Sequence, residues 1–229
     1  MNVECNTLSQ NKQINNSKLI IKATDYEIGL ESHIDNITDP LDGKTTVNGS
    51  NLLGFIKRLK NEDIILEATN NNLVIKQNKS TFKLPTYDAN EFPSLNKSEN
   101  LKDLSMSTIN FINSIRKITP AIDTNNPKFE LNGALLDIKS QKINFVSTDT
   151  RRLAVSYLQN ITNQETQFII PKKAIVEIQK LFLDEAKISY DDTNLVISNE
   201  NTKFFTKLIN GKFPDYERII PNTLKYNFP

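Results

Sequence analysis

The chain has 229 residues, room for two domains, and 38% of them are hydrophobic, enough for each to bury a core. The 28 Lys and Arg nearly cancel the 27 Asp and Glu, so a net charge of +1 points to no bulk polyanion or polycation as a partner. One Cys and one His exclude a disulfide framework, a cysteine zinc site and a multi-histidine metal site, and the six glycines form neither a GxGxxG nor a GxxxxGK[ST] loop.

Along the chain, Met1-Asn2-Val3-Glu4-Cys5 has neither the basic nor the apolar region of a secretory signal, and no apolar run reaches membrane-spanning length. A reducing cytoplasmic setting is the expectation. Lys18 to Asp25 alternates as a strand ending in Thr-Asp. His33, in an Ile/Glu/Ser/Asp context without a nucleophile signature, reads as a surface histidine. Val47 to Lys60 is predicted to be a helix, with Leu52, Phe55, Ile56 and Leu59 on one face and Lys57 and Arg58 on the other. Residues 1–95 read as a first domain and the polar residues 96–103 as a linker. Ser105 to Thr119 is a second amphipathic helix, with Phe111, Ile115 and Ile118 inward. Strands follow at Leu131 to Ile138, Lys142 to Ser147, Arg152 to Leu158 and around Phe168 to Ile170. Pro171 opens a third helix to about Leu183, and three strands follow it, up to the Asn210-Gly211 turn. A second domain over 104–221 results, with 222–229 as a stub of a further connection.

The two halves repeat. Asn72-Leu73-Val74-Ile75 recurs as Asn194-Leu195-Val196-Ile197 at an offset of 122, and Lys18 to Asp25 resembles Lys142 to Asp149 at 124. Glu91-Phe92-Pro93-Ser94 matches Lys212-Phe213-Pro214-Asp215 at 121. Such a period marks duplicated units. The counterpart of the Ser105 to Thr119 helix would lie before residue 1, so the first copy is expected to lack roughly 30 residues. The pattern is α+β, in repeated domains each of two strand–helix–three-strand units with mainly antiparallel sheet.

Charge is segregated. Lys57, Arg58 and Lys60 fall in the first predicted helix, Arg116 and Lys117 in the second, and Lys172, Lys173 and Lys180 against Glu177 in the third. The three helices hold +7 and the rest of the chain −6. Solvated helix faces account for any one of these. Three together suit a phosphate backbone touched without base readout, and no interleaved aromatics offer a stacking platform for single strands.

The run Gly211-Lys212-Phe213-Pro214-Asp215-Tyr216-Glu217-Arg218-Ile219-Ile220-Pro221 resembles the end of the middle domain of bacterial sliding clamps, the β subunit of DNA polymerase III. Thr148-Asp149-Thr150-Arg151-Arg152-Leu153-Ala154 is similar to that family's TDxxRLA signature, and Leu131-Asn132-Gly133 to the strand opening before it. Phe82-Lys83-Leu84-Pro85 with Glu91-Phe92-Pro93 resembles the end of its first domain. The resemblance implies the DNA-clamp fold, with antiparallel sheets outside and helices inside. Two subunits of three similar domains would form a ring around duplex DNA, without catalysis, cofactor or metal. Lys57, Arg58, Lys60, Arg116, Lys117, Lys128, Lys172, Lys173 and Lys180 would face the DNA. Partner proteins carrying a clamp-binding motif, including the polymerase catalytic subunit and the clamp loader, would insert a peptide between the second domain and a third. The groove residues carried over are Leu131, Thr148, Thr150, Arg151, Arg152, Leu153, Pro214, Arg218 and Ile219. Leu131, Leu153, Pro214 and Ile219 would form an apolar floor, and Arg152 and Arg218 would meet peptide carbonyls or an acidic residue. Thr150-Arg151 stands where many members have Gly-His.

Two other readings compete. Asp25 with Glu27, Asp149 and Asp215 could hold Mg²⁺ in a hydrolase or phosphotransferase, but Asp25 and Asp149 are equivalent in the repeat, as turn-forming residues would be. Alternatively, a clamp-like module binds peptides or oligomerises without encircling DNA.

Overall fold

The computed structural model describes residues 2–7, 17–35, 37–69, 71–93, 95, 100–161 and 164–221. It divides into two compact units, residues 1–97 with 198–204, and residues 98–197 with 205–229. Half of the expected linker (96–99) and the whole stub at 222–229 lie outside the described residues.

Unit one contains β1 (Asn2–Thr7), β2 (Ser17–Thr24), β3 (Ile28–Ile34), β4 (Gly43–Val47), α1 (Gly49–Ile56), β5 (Ile65–Ala68), β6 (Asn72–Gln77) and β7 (Ser80–Tyr87). Strands run in the order β4-β1-β2-β3, all antiparallel, and β5-β6-β7 is an antiparallel meander whose last strand pairs with β4. Val47, Leu52, Leu73, Ile75 and Leu84 form the core, with Phe55, Leu59 and Phe82 packed against it. Asn48 starts α1, its side chain accepting the Asn51 N–H at 3.0 Å.

The expected helix to Lys60 is too long. Buried Gln77 captures the chain beyond Ile56: its Oε1 accepts the Lys60 N–H at 3.0 Å, and its Nε2 donates to the carbonyls of Lys60 (3.0 Å) and Glu62 (3.2 Å). Lys57, Arg58 and Lys60 therefore occupy the turn after α1, where cations complement the C-terminal end of the helix dipole. α1 itself carries no charge, and Ile56, expected on its buried face, is exposed.

Unit two contains β8 (Lys102–Asp103), α2 (Thr108–Ile118), β9 (Gly133–Ile138), β10 (Lys142–Thr148), β11 (Leu153–Gln159), β12 (Thr166–Pro171), α3 (Lys172–Leu181) and β13 (Lys187–Tyr190), with β14 (Asn194–Ser198) up to Ile197 and β15 (Thr202–Lys207) from Phe205, the residues between being those grouped with unit one. The strand orders are β11-β10-β9-β12 and β15-β14-β13-β8. This is the expected pair of strand–helix–three-strand series, and β9 to β15 correspond in order to β1 to β7. Two residues read as linker, Lys102 and Asp103, form β8 and pair with Tyr190 and Ser189. Leu131 lies in a 3-10 turn (Phe129–Asn132) rather than in the strand predicted from 131, and β9 begins at Gly133.

α2 buries Phe111, Ile112, Ile115 and Ile118, and Phe111 meets Phe145 edge-on with ring centroids 5.7 Å apart. Its first turn is capped by Glu185, whose carboxylate accepts the Ser107 hydroxyl and, at 2.9 Å, the Thr108 N–H. An anion at a helix N-terminus also opposes the positive dipole end. The Ser107 and Thr108 hydrogen bonds hold the Glu185 carboxyl below its ordinary range, against the weaker upward pull of burial. A depressed folded pKa stabilises above the unfolded value, about 4.3, and that contribution is lost as pH falls through the folded value. Thermal unfolding should show a plateau down to about pH 5 and a decline below it, and Glu185→Gln should make the decline shallower.

Candidate functional site

The Thr-Asp turn that ends β10 is built by its own side chains. The Thr148 hydroxyl donates to the Arg152 carbonyl at 2.7 Å and accepts the Thr150 N–H at 3.1 Å. Asp149 Oδ1 accepts the N–H groups of Arg151 (3.1 Å) and Arg152 (3.0 Å), and Oδ2 pairs with Arg152 Nε at 2.9 Å. Thr150 is held at φ 71°, the left-handed region where glycine is easier, so this turn tolerates a strained threonine.

The same turn recurs in unit one. Thr24 donates to the Ile28 carbonyl at 2.7 Å, Asp25 Oδ1 accepts the N–H groups of Glu27 (3.1 Å) and Ile28 (3.0 Å), and Tyr26 sits at φ 73°. Asp25 and Asp149 therefore do structural work at equivalent turns. Asp215 pairs with Arg218 Nε at 2.8 Å. Among the described residues no group of three His, Cys, Asp or Glu is placed to hold a metal. Burial pushes the Asp149 carboxyl up, but the Arg151 and Arg152 N–H groups and the Arg152 guanidinium outweigh it and hold the carboxyl low. Asp149→Ala should speed amide hydrogen exchange at Arg151 and Arg152, whereas Asp149→Asn, which keeps an acceptor, should leave it near the wild-type rate.

Beneath the turn lies one apolar cluster: Leu131, Leu135, Val146, Ile169, Ile209, Phe213 and Tyr216, with half-buried Leu153 packed on it. The segment after β15 is tied to this cluster at several points. Ile209 donates its N–H to the Ile169 carbonyl at 2.9 Å, Phe213 and Tyr216 are buried, and the Tyr216 hydroxyl donates to Asp137 Oδ2 at 2.6 Å. Burial, then the bond to Asp137, raises the Tyr216 phenol far above its usual value, so it stays a donor. Lys139 bridges Glu217 (2.6 Å) and Asp137 (3.5 Å), and these partners, Glu217 foremost, raise its ammonium pKa. A short 3-10 turn (Glu217–Ile219) follows and leaves Ile219 61% exposed.

The expected floor therefore changes in part. Leu131 is only 1% exposed and supports the surface from below instead of offering a face to a peptide. Thr148 is buried and makes the turn. Leu153 and Pro214 are half-buried, and Thr150, Arg151, Arg152, Arg218 and Ile219 are exposed. Arg152 and Arg218 are each aligned by an Asp three residues earlier, so each guanidinium already has one carboxylate before any peptide arrives. Asp137 and Tyr216, absent from the sequence-derived set, hold the 213–219 segment in place. Their signal was a charged residue inside the apolar strand Gly-Ala-Leu-Leu-Asp-Ile.

The basic residues divide likewise. Arg116 and Lys117 project from the last turn of α2, opposite its buried face. Lys173 and Lys180 are exposed on α3, Lys180 paired with Glu177 at 2.8 Å, and Lys128 is exposed before the 3-10 turn. Lys57, Arg58 and Lys60 are exposed in the turn after α1. Lys172 departs from expectation. Its ammonium donates to the Ile122 carbonyl and the Thr124 hydroxyl, both at 2.8 Å, and so ties α3 to the loop after α2.

The family model described as DNA polymerase III beta subunit, central domain, matches residues 105–215, and that of the N-terminal domain matches residues 11–96. The chain belongs to the DNA polymerase III β subunit family. Among its relatives is the beta sliding clamp of Helicobacter pylori strain J99, 39% identical over 217 residues, covering 92% of this chain and 58% of the relative. That of Pseudomonas putida KT2440 is 28% identical over 215 residues, with 91% and 58% covered. The H. pylori beta clamp in complex with 3,4-difluorobenzamide superimposes with a TM-score of 0.85 at 38% identity, over 99% of this chain and 61% of that one. The H. pylori beta clamp bound to a DNA ligase peptide gives 0.81 at 38% identity, over 97% and 61%. The chain thus spans about three fifths of the clamps it matches. No helix among the described residues is long and apolar enough to cross a membrane.

Proposed function

We propose that this chain acts as a bacterial replication processivity clamp. It works with a second subunit as a ring around duplex DNA, tethers the polymerase catalytic subunit, and docks the clamp loader and other clamp-binding-motif proteins. It performs no chemistry of its own and works in the cytoplasm. One observation carries the docking part. Leu153 packs on the apolar cluster that also holds Phe213 and Tyr216, the neighbours of Pro214 in sequence, and Arg152 and Arg218 beside these segments are each aligned by an Asp. A Leu or Phe anchor of a partner peptide buries apolar area there, while Arg152 and Arg218, with Thr150 and Arg151 at the rim, meet its backbone or an acidic residue. The DNA ligase peptide on the H. pylori clamp supports this reading.

The DNA part rests on the exposed cations of α2, α3 and the turn after α1, which suit sequence-blind phosphate contacts that let a ring slide. Fluorescence polarisation with a DNA ligase clamp-binding peptide tests the docking: saturable binding is expected, and none up to millimolar protein would overturn it. On short linear duplexes, Arg116→Ala with Lys117→Ala should lower the slope of log affinity against log salt by roughly 1 for each phosphate no longer neutralised.

A further inference from the structure

Glycine follows asparagine three times in this chain, at Asn48-Gly49, Asn132-Gly133 and Asn210-Gly211. Asparagine is a thermolabile residue, and a following glycine, having no Cβ, lets its backbone nitrogen come close to the side-chain carbonyl. That approach needs a side chain free to turn and an amide that nothing holds.

The fold restrains two of the three pairs. Asn48 caps α1, its Oδ1 accepting the Asn51 N–H at 3.0 Å, and Gly49 is the first residue of the helix. Asn132 is half-buried, its Oδ1 accepts the Asn126 N–H at 2.7 Å, and its Nδ2 donates to the Asn126 carbonyl at 3.0 Å. Gly133 is buried and paired with Pro171 in the β9–β12 ladder. The third pair has no such restraint. Asn210 and Gly211 are both exposed, and no hydrogen bond ties the Asn210 side chain or the Gly211 N–H to another described residue. The pair nevertheless sits between two anchors. Ile209 donates its N–H to the Ile169 carbonyl at 2.9 Å, and Ile209 and Phe213 are buried in the same apolar cluster.

We infer that Asn210 is a self-modification site, which converts to isoaspartate without an enzyme, and that the product loosens the segment from Ile209 to Tyr216. The Gly211 nitrogen gives its proton to solvent and bonds to Asn210 Cγ. The Cγ–Nδ2 bond breaks, and ammonia leaves with a proton taken from solvent. A five-membered succinimide remains. Water then opens it at one of two carbonyls. Opening at Cγ gives aspartate, and opening at the Asn210 backbone carbonyl gives isoaspartate. The sum is water in and ammonia out, a gain of one dalton and one carboxylate. In isoaspartate the main chain runs through Cβ and Cγ, one methylene longer. Between two fixed points that added length displaces Ile209 or Phe213 from a close-packed cluster, the one that also supports Leu153. A like charge is already near: a Cβ built on Gly211 would lie 3.5 Å from Glu130 Cβ and 4.0 Å from its Oε2.

The test incubates the full chain, folded, in warm and mildly alkaline buffer, and follows each Asn-Gly pair by peptide mass mapping. Electron-transfer fragmentation separates isoaspartate from aspartate. The one-dalton gain should appear at Asn210 several-fold faster than at Asn48 or Asn132, with isoaspartate the larger product. In urea the three rates should converge, because only the fold distinguishes the pairs. The aged chain should melt at a lower temperature than the fresh one, and Asn210→Gln, which closes a ring far more slowly, should keep its fresh melting temperature through the same incubation. No gain at Asn210, equal rates at the three pairs in the folded chain, or rates that stay apart in urea would overturn the assignment of the site. Ageing that leaves the melting temperature unchanged, or lowers it equally in Asn210→Gln, would overturn the structural consequence.

Discussion

Gly133→Ala should destabilise unit two by about 1–3 kcal/mol and blunt peptide binding with it. A Cβ at this position would lie 2.6 Å from the Ile170 carbonyl oxygen, 2.8 Å from Ile169 Cγ2 and 2.8 Å from Ile209 Cδ1. The nearest neighbour is backbone, held by the pairing of β9 with β12, so it cannot swing aside. Ile169 and Ile209 belong to the cluster that supports Leu153, so strain at Gly133 reaches the docking surface directly. A melting temperature lower by about 4 °C per kcal/mol is the expected readout. Gly54 is the internal control. It lies in α1 with nothing within 4 Å of a built Cβ, so Gly54→Ala should leave stability unchanged or raise it by up to about 1 kcal/mol. Equal responses at the two glycines would contradict the packing described for β9.

Ile219→Ala and Pro214→Ala should each weaken the DNA ligase peptide several-fold, and Leu153→Ala about tenfold or more. The three differ in a way that separates docking from folding. Ile219 is mostly exposed, so its truncation should lower affinity without moving the melting temperature. Leu153 packs on the cluster and should cost both. Tyr216→Phe gives a further contrast. It touches no peptide, but it leaves the buried Asp137 carboxylate without its phenol donor, at a cost of about 1–3 kcal/mol. Affinity unchanged in all three surface variants would remove Leu153, Pro214 and Ile219 from the site.

Much of the fold was legible because its signals are local. The 3.6-residue period of Phe111, Ile115 and Ile118 and the alternation of the strands depend on neighbours in sequence and have their elements in the structure, and the offset near 122 relates β2 to β7 of unit one to β10 to β15 of unit two. The turn role of Asp25 and Asp149 was legible from their equivalence, since side-chain capping of a turn needs only residues two to three apart. What escaped depends on residues distant in sequence. Nothing near Lys57 announces that Gln77 will take the backbone of Lys60 and end α1 early. Lys172 reads as a solvated helix cation until its reach to Ile122 and Thr124 is seen. Leu131 belonged to the right cluster, but whether an apolar residue forms the floor of a site or its foundation is decided by what packs above it. The charge asymmetry moved for the same reason, from the body of α1 to the turn beyond it.

Retention on DNA of defined topology tests the central claim most directly. The chain is loaded onto nicked circular plasmid with its clamp loader and ATP, then gel-filtered at high salt before and after a single restriction cut. A clamp held by encirclement stays on the circle, because salt weakens phosphate contacts but cannot unthread a ring, and it leaves once the DNA is linear. Equal release from circular and linear DNA at high salt would contradict encirclement and leave a clamp-like module that binds peptides without a ring.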